Sequence, residues 1–114
     1  MPSGLGIGTT PSALVAHGID TTVVEIDPAV HDFAVKYFAL QENNPAVLQD
    51  AVSYTAGLVE QGAQYDYIVH DVFTGGAEPV DLFTLEFLQG LYDLLRPDGV
   101  VAIVRLSTLS CGKL

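Results

Sequence analysis

The hydrophobic and polar positions along the chain follow two alternating patterns, which predict strands that alternate with helices. Short apolar, β-branched runs are typical of buried strands, and apolar residues three or four positions apart are typical of helices. The predicted strands cover residues 21–27, 46–49, 65–71 and 100–104. The predicted helices cover residues 11–17, 28–39, 51–60 and 82–95, and a turn at 96–99 follows the last helix. The pattern predicts an α/β domain whose parallel sheet has helices on both faces.

The glycine-rich turn before the first helix is the first candidate for ligand binding. Gly4, Gly6 and Gly8 permit a close approach of the backbone to a ligand and positive φ angles that other residues resist. An ordinary turn has the same letters, and the dinucleotide-binding fingerprint requires a further glycine where Thr9 stands. Glu25 lies near the carboxyl end of the next strand, where a carboxylate can bind both hydroxyls of a ribose. Together the turn and Glu25 favour a ribose-containing ligand.

Asp50 and Asp71 stand at the ends of the next two predicted strands. Because the carboxyl ends of parallel strands meet at one edge of a sheet, we expect both residues to lie near Glu25 and the glycine turn. Aligned acids at such an edge suit a cationic or polyol ligand. Asp50 directly precedes a helix, so a helix cap is an equally good interpretation of this residue.

Composition and charge narrow the class of protein. The 114 residues suit one small domain, and 49% hydrophobic against 16% charged residues is typical of a globular chain. The net charge of −10 argues against nucleic acid as a partner, because few cations could replace the counterions of phosphate. The sequence has no apolar run of membrane-spanning length and no signal peptide, so we expect a cytoplasmic protein without membrane contact. Cys111 is the single cysteine, and His17, His31 and His70 lack paired ligand spacing, so no metal site is predicted.

Five motifs follow one another in an order that resembles the spermidine-synthase-like branch of the class I S-adenosylmethionine-dependent methyltransferase superfamily. The resemblance covers about residues 4–103. The motifs are Gly4-Leu5-Gly6-Ile7-Gly8, Val23-Val24-Glu25-Ile26-Asp27, Gln49-Asp50-Ala51, Tyr65-Asp66-Tyr67-Ile68-Val69-His70-Asp71 and Leu95-Arg96-Pro97-Asp98-Gly99-Val100.

The resemblance implies a Rossmann-like fold that binds S-adenosylmethionine or decarboxylated S-adenosylmethionine. It implies that Glu25 binds the ribose hydroxyls, with Ile26 beside it at the cofactor, and that Asp50 and Ala51 lie at the adenine. It also implies that the glycine turn lies beneath the amino-acid or aminopropyl arm of the cofactor. Asp71 matches the acid that serves as general base near the reacting amine in aminopropyltransferases.

The residues after Asp71 depart from the pattern of true aminopropyltransferases. In those enzymes two serines, a second acid and a proline follow, and the second acid helps to hold the polyamine. This chain has Val72, Phe73, Thr74 and Gly75 instead. Because Thr74 cannot supply the missing charge, methyl transfer to an acceptor that the sequence does not identify is preferred over polyamine synthesis. The alternative is a catalytically inactive fragment stabilised by self-association.

The resemblance further implies a fold that is truncated at both ends. Only Met1, Pro2 and Ser3 precede the glycine turn, so the central strand of the family is absent or vestigial, and its C-terminal strands are missing. Residues 1–104 form the family-like domain, and residues 105–114 form a tail unlike the family. Unpaired backbone groups at strand edges would cost roughly 1–3 kcal/mol each. We therefore expect a homo-oligomer, a dimer formed by strand exchange or edge pairing.

Overall fold

The computed structural model describes residues 2–3, 8–71 and 80–104. The order of helices and strands is that of an α/β fold, as the hydrophobic pattern predicts. The strands are β1 (Pro2–Ser3), β2 (Tyr65–Asp71) and β3 (Leu95–Val104). The helices are α1 (Thr9–Ala16), α2 (Pro28–Tyr37), α3 (Ala51–Gln61) and α4 (Leu85–Asp93), with a 3₁₀ helix at Val80–Phe83. Within the described ranges no helix is long and apolar enough to cross a membrane.

The sheet is parallel and has the order β1-β2-β3. In β1, Pro2 pairs with Val69 and Ser3 pairs with His70. A two-residue strand, β1, thus precedes the glycine turn and pairs with β2. Parallel pairing and the βαβ order confirm the Rossmann-like fold class.

Two predicted strands are wrong as regular strands. The segments 21–27 and 46–49 are reduced to one isolated parallel bridge between Val24 and Val47. The physical reason is pairing rather than propensity, because a strand requires a ladder of hydrogen bonds to a neighbour. Here the side chain of Asn43, rather than the backbone, accepts the hydrogen bond of the Thr21 amide.

The predicted helix at 82–95 is divided in two. The 3₁₀ helix ends at Phe83, and the hydroxyl of Thr84 then accepts a hydrogen bond from the amide of Phe87 at 3.1 Å, which caps the start of α4. An N-cap residue has extended backbone angles, so a continuous helix cannot pass through Thr84.

The predicted turn at 96–99 lies inside β3 as an irregularity. Tyr65 pairs with Leu95, but Tyr67 already pairs with Val100, so the residues between them on β3 bulge out of the ladder. A side chain at Gly99 would approach the carbonyl oxygen of Arg96 to 3.0 Å, which explains a glycine at this tight bend. The turn is thus present as a bulge rather than as a break before the strand.

Two hydrophobic cores lie on either side of the segment that contains the isolated bridge. Val24 belongs to the larger core, which is built from α3, α4 and β2, and Val23 belongs to the smaller core with Ala34 of α2. The larger core comprises Val24, Leu58, Ile68, Phe87, Leu91 and Leu94. Because consecutive side chains of an extended segment point to opposite faces, helices cover both faces at this point.

On β2 and β3 the helices α3 and α4 cover the face to which Ile68 and Val101 belong. The opposite face carries Tyr67, Val100 and Val104, whose exposed fractions are 57%, 55% and 49%. Large apolar side chains on one face of a sheet usually contact other chain segments.

Candidate functional site

Glu25 and Asp50 lie at the same end of the parallel pair formed around Val24 and Val47. The amide of Glu25 donates to the carbonyl of Val47 at 3.0 Å, and the amide of Val47 donates to the carbonyl of Val23 at 2.8 Å. Glu25 directly follows the bridge on one segment, and Asp50 follows it by three residues on the other. In parallel segments both positions lie at the carboxyl end, so the structure places this predicted pair at one edge.

The carboxylate of Glu25 is oriented by its own turn. Its Oε1 accepts a hydrogen bond from the amide of Asp27 at 3.0 Å, and the side chain is half-buried. Asp27 in turn caps α2 by accepting from the amide of Ala29 at 2.9 Å. A carboxylate has about four lone-pair positions, which suits this type of group to accept more than one hydrogen bond. The neighbouring Ile26 is 66% exposed and supplies apolar surface beside it.

Asp50 is a helix cap, which is one of the two interpretations left open by the sequence. Its Oδ1 accepts from the amide of Val52 at 3.3 Å, and its Oδ2 accepts from the amide and hydroxyl of Ser53 at 3.1 and 3.0 Å. The backbone hydrogen bond from Ser53 is the main cause that lowers the pKa of Asp50. Ala51 begins α3 and packs against the larger core. A contact of Asp50 and Ala51 with a ligand stays a prediction.

Gly8 has the left-handed backbone that the glycine turn predicts. It has a φ of 88°, precedes α1 as its N-cap residue and is buried. A Cβ at this position would lie 2.7 Å from Cδ1 of Leu40, so the space of a side chain is already filled. Gly4 and Gly6 lie outside the described residues, and their part in a site stays a prediction.

Asp71 ends β2 at the carboxyl edge of the sheet, next to Val104 of β3, and is half-buried. The preceding His70 is fully buried. Its Nε2 lies 2.9 Å from the carbonyl oxygen of Leu82, which can only accept, so this nitrogen carries the proton. The ring centroid lies 5.1 Å from that of Phe83 and 5.3 Å from that of Phe87. His70 therefore packs inside the protein, with its ring beside two phenylalanine rings.

Charge is distributed unevenly along β2. At its start, Nη1 of Arg96 lies 2.8 Å from Oδ2 of Asp66. At its carboxyl end lies Asp71, and Glu25 and Asp50 lie at the corresponding end of the isolated bridge pair. Within the described ranges the remaining Lys or Arg is Lys36, in the last turn of α2. Such acid-rich strand ends suit a ligand that carries hydroxyl groups and a positive charge.

Sequence reasoning missed Asn43 and Asn44. Their side chains bind the backbone of residues 19–21, and this contact precedes the bridge that presents Glu25. Adjacent asparagines before Pro45 indicate a turn, but the bonded groups are 22 to 24 positions away in sequence, so the local pattern does not identify these contacts.

The chain is similar to proteins of known class over nearly all of its length. The model of the spermine/spermidine synthase domain matches residues 4–110, and the boundary of the predicted tail after Val104 stays a prediction. An N-terminal histidine N-methyltransferase of Emericella nidulans is 62% identical over 102 residues, which are 88% of this chain and 18% of that protein. A polyamine aminopropyltransferase of Vibrio vulnificus is 38% identical over 109 residues, which are 92% of this chain and 36% of that protein.

A solved structure has the same fold. The crystal structure of a SAM-dependent methyltransferase from Agrobacterium tumefaciens matches 90% of this chain and 36% of its own chain, with a TM-score of 0.70 and 20% identity. The chain therefore spans about a fifth to about a third of the length of these relatives.

Proposed function

Because the chain belongs to the spermine/spermidine synthase domain family, in the class I S-adenosylmethionine-dependent methyltransferase-like superfamily, we propose that it forms the adenosyl-binding part of an N-methyltransferase. The observation that carries the preference for methyl transfer is the 62% identity with the histidine N-methyltransferase, against 38% with the aminopropyltransferase. The names of both relatives indicate transfer to a nitrogen-containing acceptor, so the proposed shared chemistry is attack by a nitrogen nucleophile.

The residues of the site fit an adenosyl group by their donor and acceptor chemistry. The carboxylate of Glu25 is held by the amide of Asp27, and a carboxylate is the type of acceptor that suits ribose hydroxyls. Asp50 and Ala51 lie at the same carboxyl edge, where they would contact the adenine. Gly8 ends the glycine turn at the start of α1, where the family resemblance places the remaining arm of the cofactor.

Asp71 is the residue that we propose to act on the acceptor. When bound, S-adenosylmethionine supplies a methyl carbon made electrophilic by the attached sulfonium. The methyl group would pass to a neutral amine nitrogen of the acceptor, and the electron pair of the broken S–C bond would remain on sulfur. The carboxylate of Asp71 would position the amine and accept the proton that nitrogen loses.

The acceptor is an amine but not a polyamine in this proposal. The second acid that aminopropyltransferases use to hold the polyamine is replaced by Thr74, so one anchoring charge is absent. The name of the fungal relative points to an N-terminal histidine as its acceptor, and we propose an amine of a peptide or amino acid for this chain as well.

Calorimetric titration tests the cofactor. We expect S-adenosylmethionine and S-adenosylhomocysteine to bind with affinities better than millimolar, and decarboxylated S-adenosylmethionine to bind more weakly. Glu25→Gln should weaken binding about 10- to 100-fold, since a charged acceptor of two hydroxyls is lost. Glu60→Gln makes the same charge change at an exposed position of α3 and should leave the affinity unchanged.

Two results would contradict the proposal. Tighter binding of decarboxylated S-adenosylmethionine would favour the aminopropyltransferase reading, for which the 38% identity is the supporting observation. If the folded protein shows no binding heat with any adenosyl ligand, the alternative of a catalytically inactive fragment would be supported instead.

A further inference from the structure

Two asparagine side chains join the segment that precedes Glu25 to the segment that precedes Asp50. Oδ1 of Asn43 accepts from the amide of Thr21 at 2.9 Å, and its Nδ2 donates to the carbonyl of Ile19 at 2.8 Å. Nδ2 of Asn44 donates to the carbonyl of Thr21 at 3.0 Å and also to Oδ1 of Asp20. We call these four contacts the asparagine clamp.

The asparagine clamp stands where a strand ladder would otherwise run. The side-chain amide group of Asn43 binds one N–H and one C=O of the facing segment. The backbone of a residue in a neighbouring parallel strand would make the same two hydrogen bonds. Two residues after Thr21 the backbone pairing begins, with the hydrogen bonds from Val47 to Val23 and from Glu25 to Val47. The described backbone pairing of these segments is limited to the single bridge, so the side chains supply most of the hydrogen bonds that align them.

The alignment determines where two candidate ligand groups stand. Glu25 lies on the first segment directly after the bridge, and Asp50 lies on the second segment, as the cap of α3. A slip of one segment along the other would move the two carboxylates apart by about 3.3 Å per residue. Ribose hydroxyls and adenine have a fixed spacing in one ligand, so such a slip would separate the two contacts.

From this geometry we infer that Asn43 and Asn44 are positioning residues, which set the register of Glu25 against Asp50 for an adenosyl ligand. The inference rests on the proposed function. Both residues must be amides, because each donates an N–H to a carbonyl oxygen and a carboxylate cannot. At Asn44 a carboxylate would in addition face the carboxylate of Asp20.

Asn43→Asp and Asn44→Asp test the inference, with Gln41→Glu as the matched control. Gln41 lies in the same loop, but its side-chain amide donates to the carbonyl of Ala39 and does not reach residues 19–21. The first measurement is amide hydrogen exchange by NMR. Each asparagine variant should accelerate exchange at Glu25 and Val47 at least about tenfold, because Asn43→Asp loses the hydrogen bond to Ile19 and Asn44→Asp loses those to Thr21 and Asp20. The amide of Ile68 in β2 and the control variant should stay unchanged.

The second measurement is the affinity for S-adenosylhomocysteine. Each asparagine variant should weaken binding about tenfold at a temperature where the protein is fully folded, and Gln41→Glu should not. In a Glu25→Gln background, each asparagine substitution should weaken the affinity less, because an effect that acts through the carboxylate of Glu25 is already lost there. A purely structural role would leave the loss the same in both backgrounds.

The outcomes separate this inference from the proposed function. Unchanged amide exchange at Glu25 and Val47 in the asparagine variants would overturn the role of Asn43 and Asn44 in the register, independently of the affinity for the ligand. Faster exchange with undiminished affinity, or an equal loss in both backgrounds, would overturn the positioning role while the proposed function stands. A wild-type protein that binds no adenosyl ligand would overturn the proposed function and ligand positioning together, and the exchange rates would still report on the register.

Discussion

The imidazole of His70 binds the main-chain carbonyl of Leu82 with 2.9 Å between Nε2 and the oxygen. This contact joins β2 to the 3₁₀ helix, and the imidazole lies beside the rings of Phe83 and Phe87. It places a polar group against the larger core, and His70 directly precedes the proposed base Asp71 in the sequence. The arrangement leads directly to two predictions about stability.

His70→Ala should lower the free energy of unfolding by about 2–4 kcal/mol. The substitution leaves a cavity beside two phenylalanine rings and deprives the carbonyl of Leu82 of its donor. Urea denaturation measures the change. His17→Ala, at the exposed C-terminal end of α1, is the control and should change stability by less than about 0.5 kcal/mol. Equal effects of the two variants would show that the contact of His70 with Leu82 adds nothing.

Stability should fall as the pH falls below about 6.5, the ordinary pKa of histidine. Burial lowers the pKa of His70 in the folded protein. As the pH falls, His70 therefore takes up a proton in the unfolded chain before it does so in the folded chain. The free energy of unfolding decreases progressively over this range, until the pH is below the pKa of His70 in the folded protein. Urea titrations at pH 8, 6.5 and 5 measure this slope, and His70→Gln should flatten it relative to the wild type. A variant with the same slope as the wild type would assign the pH dependence to other groups.

Asp50→Ala should cost about 1 kcal/mol, whereas Asp50→Asn should cost little. Asparagine is as good an N-cap as aspartate, but alanine leaves the amides of Val52 and Ser53 without their acceptor. Thermal unfolding checks this difference. The Asp50→Asn variant then isolates the ligand role, since its helix is intact and any loss of affinity for S-adenosylhomocysteine belongs to the carboxylate.

Gly8→Ala should destabilise the protein more than Gly62→Ala. Both glycines have positive φ angles, 88° and 72°, so alanine costs about 1–2 kcal/mol of backbone strain at either position. Nothing lies within 4 Å of a Cβ at Gly62, but at Gly8 the new methyl group would meet Leu40 at 2.7 Å. Chemical denaturation measures how much more Gly8→Ala lowers the free energy of unfolding than Gly62→Ala does. Leu40→Ala should reduce this difference. Equal costs at the two glycines would exclude the steric contribution.

Self-association by strand exchange or edge pairing stays a prediction, and we propose that the second copy also covers the exposed face with Tyr67, Val100 and Val104. Light scattering after size-exclusion chromatography should show a dimer at micromolar concentration. Val100→Lys with Val104→Lys should give a monomer, because two charges would have to be buried. Val80→Lys is the control at a 78% exposed position in the 3₁₀ helix. A monomeric wild type would contradict the prediction.

Local patterns of the sequence were sufficient for most helices and for the strand β2. Pro28 after Asp27 predicts the start of α2, and the structure has that start with Asp27 as its cap. The run from Tyr65 to Asp71 predicts β2 with the same bounds. These features depend on residues a few positions apart, so short-range chemistry determines them.

The sequence by itself determined the α/β order, the parallel pairing and the placement of acids where strands end, because apolar periodicity, glycines and helix caps act locally. Tertiary structure alone decided that Val24 and Val47 form one bridge instead of two strands, and that Asn43 and Asn44 replace the missing ladder. It also decided that His70 binds Leu82. Hydrogen-bond partners distant in sequence depend on which segments meet after folding, and no local pattern contains that information.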